Sequence, residues 1–154
     1  MSHEVEIGRG KRGRRAYTLD DIALVPARRT RDPEDVNVGW QIDAYHVDIP
    51  LMAAPMDSVM SPETAIAFGR LGGIGVLDLD GLWTRYEDPE PILDQIAHLG
   101  EEESIATLQR VYSEPIKPAL ITERLTQLRE AGVVVAGKLS PQRVQKYWRA
   151  VVDA

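Results

Sequence analysis

The sequence contains no cysteine. That excludes disulfides, zinc–thiolate sites and a cysteine nucleophile within its 154 residues, and it fits a cytoplasmic location. Histidine is scarce: His3, His46 and His98 are scattered, without the spacing of a metal-ligand set. No apolar run approaches the length of a membrane span. No N-terminal stretch joins a basic start to an apolar segment, so no signal peptide is expected. An excess of positive charge is also missing. The net charge of −6 argues against a general nucleic-acid binder.

What remains is a globular composition, 44% apolar and 27% charged, in a chain long enough for one domain with its own core. Residues 8–15, GRGKRGRR, are basic and glycine-rich. They read either as a phosphate or RNA contact or as a solvated, flexible arm; the boundary of that arm is placed at residue 16. Gly8 and Gly10 have GxG spacing, but no strand precedes them, so no dinucleotide fingerprint follows. Tyr17 to Pro26, YTLDDIALVP, reads as an extended segment, and RRTRDPED as a polar loop. Val36, Val38, Trp40 and Ile42 alternate with polar or small residues, the period of a half-buried strand. Residues 17–48 are expected to form an antiparallel, hairpin-like extension.

Then the pattern changes. Residues 49–54, IPLMAA, are almost wholly apolar and predict a strand buried on both faces. Ser61-Pro62 supplies an N-cap followed by a proline where the missing N–H costs nothing. Ala65, Phe68, Gly69 and Gly72 share the face of the helix that follows. IGVLDL (74–79) and VVVAGKL (133–139) predict two more buried strands. Residues 89–131 predict three helical pieces, with Asp88-Pro89 repeating the cap device and stripes at Ile92/Ile96/Leu99, Ile105/Leu108/Tyr112 and Ile121/Leu125/Leu128. Ser140-Pro141 starts a last helix, whose buried face is predicted at Val144, Trp148, Val151 and Val152. Short apolar strands alternating with amphipathic helices predict a parallel α/β sheet with helices outside. A (βα)8 barrel needs roughly 250 residues. Residues 49–154 account for three βα units, so the chain is expected to be the N-terminal part of a longer protein.

In a barrel, loops at the C-terminal strand ends carry the ligand site. Pro55 stops ladder pairing, which exposes Met56 at that end. Its thioether either lies flat on an aromatic ring such as a base or caps the core. Asp57 reads as an acceptor either for a sugar hydroxyl or for a turn N–H alone. Trp83-Thr84-Arg85-Tyr86 reads as a base-stacking loop or as a packed one, Glu101-Glu102-Glu103 as a solvated helix start, and Lys138 as a cation facing the ligand side.

IPLMAAPMDSVMSPETAIAFGRLGGIGVLDLDG resembles the first βαβ unit of the IMP dehydrogenase/GMP reductase family, with its Pro-Met-Asp motif and its Gly-Gly-x-Gly strand. YTLDDIALVP resembles that family's N-terminal segment, and the whole suits its short IMP dehydrogenase-related branch in actinomycetes. The resemblance implies the N-terminal portion of a (βα)8 TIM barrel, usually a cytoplasmic homotetramer, binding a purine mononucleotide. It implies substrate contacts at Ala54, Pro55 and Met56. The family's His-His-Asn beside a nicotinamide cofactor, NAD or NADP, is replaced here by Asp78, Leu79 and Asp80. That departure implies altered cofactor use at Asp78 and Asp80, or lost dehydrogenase activity. The family's catalytic cysteine, its monovalent-cation site and its phosphate loops are expected beyond residue 154. Residues 81–120 are too short for the regulatory CBS pair of many members. The activities implied are IMP to XMP with NAD, GMP to IMP with NADPH, or nucleotide binding without chemistry.

Overall fold

The computed structural model describes residues 4–25 and 32–154. His3, Pro26 and the basic part of the RRTRDPED loop lie outside the described residues. The chain divides into two compact units, Met1–Asn37 and Val38–Ala154.

In the first unit, β1 (Glu4–Glu6) pairs antiparallel with β2 (Arg12–Arg14). The basic segment expected as a flexible arm thus contributes the second strand of a hairpin. Gly8 (φ 107°) and Gly10 (φ 73°) adopt the left-handed conformation that lets the chain reverse. The register sets Glu4 opposite Arg14 and Glu6 opposite Arg12, so opposite charges face across the ladder. The segment read as extended is interrupted by a 3-10 turn at Leu19–Asp21. The Asp21 carboxylate accepts from both the backbone N–H and the hydroxyl of Thr18, each at 3.0 Å, which favours the turn over a strand.

The second unit opens with another hairpin, β3 (Trp40–Ile42) against β4 (Tyr45–Val47). The expected strand from Val36 is shorter because pairing starts only at Trp40, opposite Val47. Asp43, with φ 49°, makes the turn.

Three parallel segments follow. Met52 bridges to Ile74, with Ile74 N–H donating to Leu51 at 3.0 Å and Ala53 N–H to Ile74 at 2.9 Å. Further along, β5 (Leu77–Asp78) pairs in parallel with β6 (Gly137–Lys138). The predicted seven- or six-residue strands are reduced to these short ladders. Pro50 and Pro55 remove N–H donors at both ends of the first segment. That segment is not buried on both faces: Leu51 and Met52 are exposed, since among the described residues it has a parallel partner on one side only.

Helices cover one side. α1 (Pro62–Arg70) starts where the Ser61 hydroxyl accepts the Thr64 N–H at 3.0 Å. It lies so close to the second segment that a Cβ on Gly75 would come within 2.6 Å of Ala65 Cα. α2 (Glu90–Ala97) and α3 (Glu101–Val111) form an insert between β5 and α4 (Pro118–Glu130). Pro89 caps α2, and Asp88 accepts the Glu90 N–H at 3.2 Å. α5 (Pro141–Val152) follows β6. The core joins Met60, Ala65, Leu77 and Leu79 to Ile116, Ile121, Leu125, Leu128 and Tyr147. On α5 the predicted face is wrong by about one residue. Tyr147 is buried and Ala150, Val151 and Ala154 pack beside it, whereas Trp148 is 47% exposed. Both faces of α5 carry apolar residues at helical spacing, so periodicity alone does not choose between them.

Candidate functional site at the mouth of the first strand

Pro55 ends the first strand segment, and the chain leaves through a tight helical turn. Met60 N–H donates to Met56 at 2.8 Å, and Ser61 then caps α1. Met56 stands at the C-terminal end of the segment with 52% of its surface exposed. Pro55 and Met56 wall a cavity of about 420 Å³, together with Asp57, Asp78 and Leu82. The opposite wall comes from the insert: Leu93 and Ile96 of α2, Leu108 of α3, and Tyr112 just beyond it. Ala54 is exposed and does not line this cavity.

Asp57 is the polar centre of the mouth. Its Oδ2 accepts the Leu82 N–H at 2.8 Å and the Tyr112 hydroxyl. Its backbone carbonyl accepts from the Trp83 indole at 3.4 Å. The turn-N–H reading of Asp57 therefore describes one of its bonds. Oδ1 is buried and makes no hydrogen bond within the protein. Burial pushes the Asp57 carboxyl above its usual range, against the pull of Tyr112 and Leu82 as donors; Asp78 adds to the rise and Arg85 opposes it. Burial, and then the bond to Asp57, pushes the Tyr112 phenol up as well.

Trp83-Thr84-Arg85 is a packed loop, not a free stacking surface: all three residues are buried, mostly in a 3-10 turn, Leu82–Thr84. The Thr84 hydroxyl donates to Leu79 at 3.0 Å. Arg85 donates to the Asp80 carbonyl at 2.9 Å and to the Glu114 carbonyl, and its guanidinium lies 5.5 Å from the centre of the Tyr112 ring. Arg124 of α4 reaches back to the Trp83 carbonyl at 3.2 Å and the Glu87 carbonyl at 2.6 Å.

Asp78 and Asp80 meet Lys138 across the parallel pair. The Lys138 ammonium lies 3.3 Å from Asp78 and 3.4 Å from Asp80. Asp80 also accepts the Ser140 N–H at 2.7 Å and faces Arg143 at 3.4 Å. Partial burial pulls Lys138 down, but Asp78 and Asp80 together outweigh it and hold the ammonium above its usual value. The three predicted charges are thus brought together, and with Arg143 the two carboxylates meet two cations.

Sequence reasoning missed Gly81 and Tyr112 as parts of the mouth. Gly81 is required there, because a Cβ would fall 2.1 Å from Asp57 Oδ1. Tyr112 lies 55 residues from Asp57 and carries only the signal of a stripe it shares with Leu108.

Residues 16–154 match the model of the IMP dehydrogenase/GMP reductase domain. The chain belongs to the IMP dehydrogenase/GMP reductase family, a family of oxidoreductases. It is 43% identical over 155 residues to an "uncharacterized oxidoreductase" of Mycolicibacterium smegmatis, covering 97% of this chain and 41% of that protein. An inosine-5'-monophosphate dehydrogenase of Methanocaldococcus jannaschii is 42% identical over 64 residues, covering 42% of this chain and 13% of its own length. The fold is similar to the crystal structure of an IMP dehydrogenase/GMP reductase-like protein from Corynebacterium glutamicum. The TM-score is 0.80 at 40% identity, over 97% of this chain and 41% of that one. The chain therefore spans about two fifths of the length of the long relatives it matches throughout. No helix among the described residues is long and apolar enough to cross a membrane.

Proposed function

We propose that this chain is the N-terminal portion of a purine-nucleotide oxidoreductase on a (βα)8 barrel, and that the mouth of its first strand holds a purine mononucleotide. The reading rests on one observation: Pro55 and a half-exposed Met56 wall a cavity of about 420 Å³ at the C-terminal end of a parallel strand. That volume lies within the range of about 300–1,000 Å³ for small-molecule sites, and the mix of apolar walls with a few polar groups is typical of them. The Met56 thioether lies against the base, and Asp57 accepts an N–H or O–H donor from the nucleotide; Ala54, outside the cavity lining, makes no contact with it.

The reaction we assign is IMP to XMP, with NAD as hydride acceptor. The covalent step needs a thiolate, which this chain does not contain and polypeptide beyond residue 154 supplies. Asp78 and Asp80 do not fit a direct hold on the nicotinamide: Asp78 is held by Lys138 and the Asp80 N–H, Asp80 Oδ2 by Lys138 and the Ser140 N–H, and Asp80 Oδ1, buried and without a hydrogen bond, is ion-paired with Arg143. The same ion-locked tip departs from the dehydrogenase pattern and favours a second reading, a barrel that binds a nucleotide without chemistry; GMP reduction with NADPH is the other enzymatic alternative. The cytoplasmic homotetramer belongs to the same proposal.

The test is spectrophotometric. The intact protein is given IMP with NAD, then GMP with NADPH. Formation of NADH supports the dehydrogenase, and loss of NADPH supports the reductase. Neither signal, together with tight nucleotide binding, points to a barrel that binds without chemistry; no binding at all defeats the reading.

A further inference from the structure

The insert formed by α2 and α3 is loosely built for a structural element. Among the described residues, α2 has no buried side chain and α3 has one, Val111. Yet its apolar side chains Leu93, Ile96 and Leu108 turn toward the cavity rather than into the core. Its ties to the mouth gather at one end. Tyr112 donates to Asp57, Tyr86 donates to the Val111 carbonyl at 3.1 Å, and Arg85 holds the Glu114 carbonyl. An apolar helix face kept over a polar-floored cavity is explained by what fills the cavity.

We propose that the α2–α3 insert is the closing wall of the ligand cavity, and that Tyr112 is the positioning residue that latches it to Asp57. The occupant is a flat heteroaromatic ring, lying between Met56 on the strand side and Leu93, Ile96 and Leu108 on the insert side. Its N–H or O–H donors face Asp57. The choice of a purine ring rests on the functional reading above; the latch itself does not. Tyr112 acts through the insert and touches the reacting atoms in no step.

Tyr112→Phe removes only the hydroxyl and leaves the ring beside Arg85. Two measurements on the intact protein are compared with the variant: titration with IMP and with GMP, and backbone hydrogen exchange without ligand. The expected results are a roughly tenfold weaker nucleotide affinity, the size of one lost hydrogen bond to a charged acceptor, and faster exchange confined to residues 90–111. Unchanged exchange there overturns the latch. Faster exchange with unchanged affinity overturns the wall. Exchange raised throughout, including α1 and α5, also overturns it, since the hydroxyl would then serve the fold as a whole. If the unsubstituted protein binds neither nucleotide, the purine reading fails, and the exchange comparison still decides the latch.

Discussion

Gly81→Ala should damage this protein far more than its position in a loop implies. The backbone at Gly81 has φ −85°, open to any residue, so the substitution brings no conformational strain. The cost is steric. The new methyl would sit 2.1 Å from Asp57 Oδ1 and 2.7 Å from its Cγ. Asp57 cannot simply swing aside, because Oδ2 is held by the Leu82 N–H and the Tyr112 hydroxyl. Overpacking of this kind costs about 1–3 kcal/mol. Driving the carboxylate away instead forfeits bonds to a charged acceptor, each worth about 1.5–3 kcal/mol. A loss of about 2–4 kcal/mol follows. At about 2–4 °C per kcal/mol for a chain of this size, thermal unfolding should shift down by about 5–15 °C. The assay is a double-mutant cycle with Asp57→Ala, followed by circular dichroism melts. With the carboxylate gone, Gly81→Ala should cost less than about 0.5 kcal/mol, close to the additivity limit for independent sites. An equal loss in both backgrounds would refute the clash.

Other expectations follow from neighbouring groups. Arg124→Ala strands the Trp83 and Glu87 carbonyls, so it should destabilise by about 2–4 kcal/mol in denaturant melts; a loss under 1 kcal/mol would contradict its role. Asp57 has its pKa raised in the folded state, so the fold binds its proton more tightly than the unfolded chain does. Lowering the pH from neutral through that raised pKa should therefore favour the native protein relative to Asp57→Asn, and the gain should stop near the ordinary carboxylate value of 3.8. A constant difference between the two melts from neutral to acid pH would contradict this. Lys138 contributes stability below its usual pKa of 10.5 that is lost as pH rises through the raised value. Being largely solvated, Lys138→Met should cost no more than about 1 kcal/mol at neutral pH, less in high salt, and nothing at strongly alkaline pH.

Local chemistry was readable in the sequence and distant contact was not. Ser61-Pro62 announces the start of α1, because the cap bond reaches only to Thr64. The Ile121/Leu125/Leu128 stripe announces its burial, because one face of α4 is apolar and the other is not. On α5 that contrast is missing, and Trp148 was assigned to the core where Tyr147 sits. Leu51 and Met52 read as doubly buried because apolar runs report what a strand can bury, not which partners flank it. The exposure of Met56 was legible from its place after Pro55, whereas Tyr112 meets Asp57 only because the insert folds back, and Gly81 only because the loop after β5 lies against Asp57. The charges at Asp78, Asp80 and Lys138 were each visible, but their pairing depends on the parallel alignment of β5 with β6.

The central claim is that the Met56 side chain serves a nucleotide rather than the core. Calorimetric titration of IMP and GMP into the intact protein and into Met56→Ala tests it most directly. Covering half of a methionine with a ligand is worth about 1–2 kcal/mol, so affinity should fall roughly five- to thirtyfold while the melting temperature stays within about a degree. An unchanged affinity, or a melt lowered by several degrees, would contradict the account and return Met56 to the core.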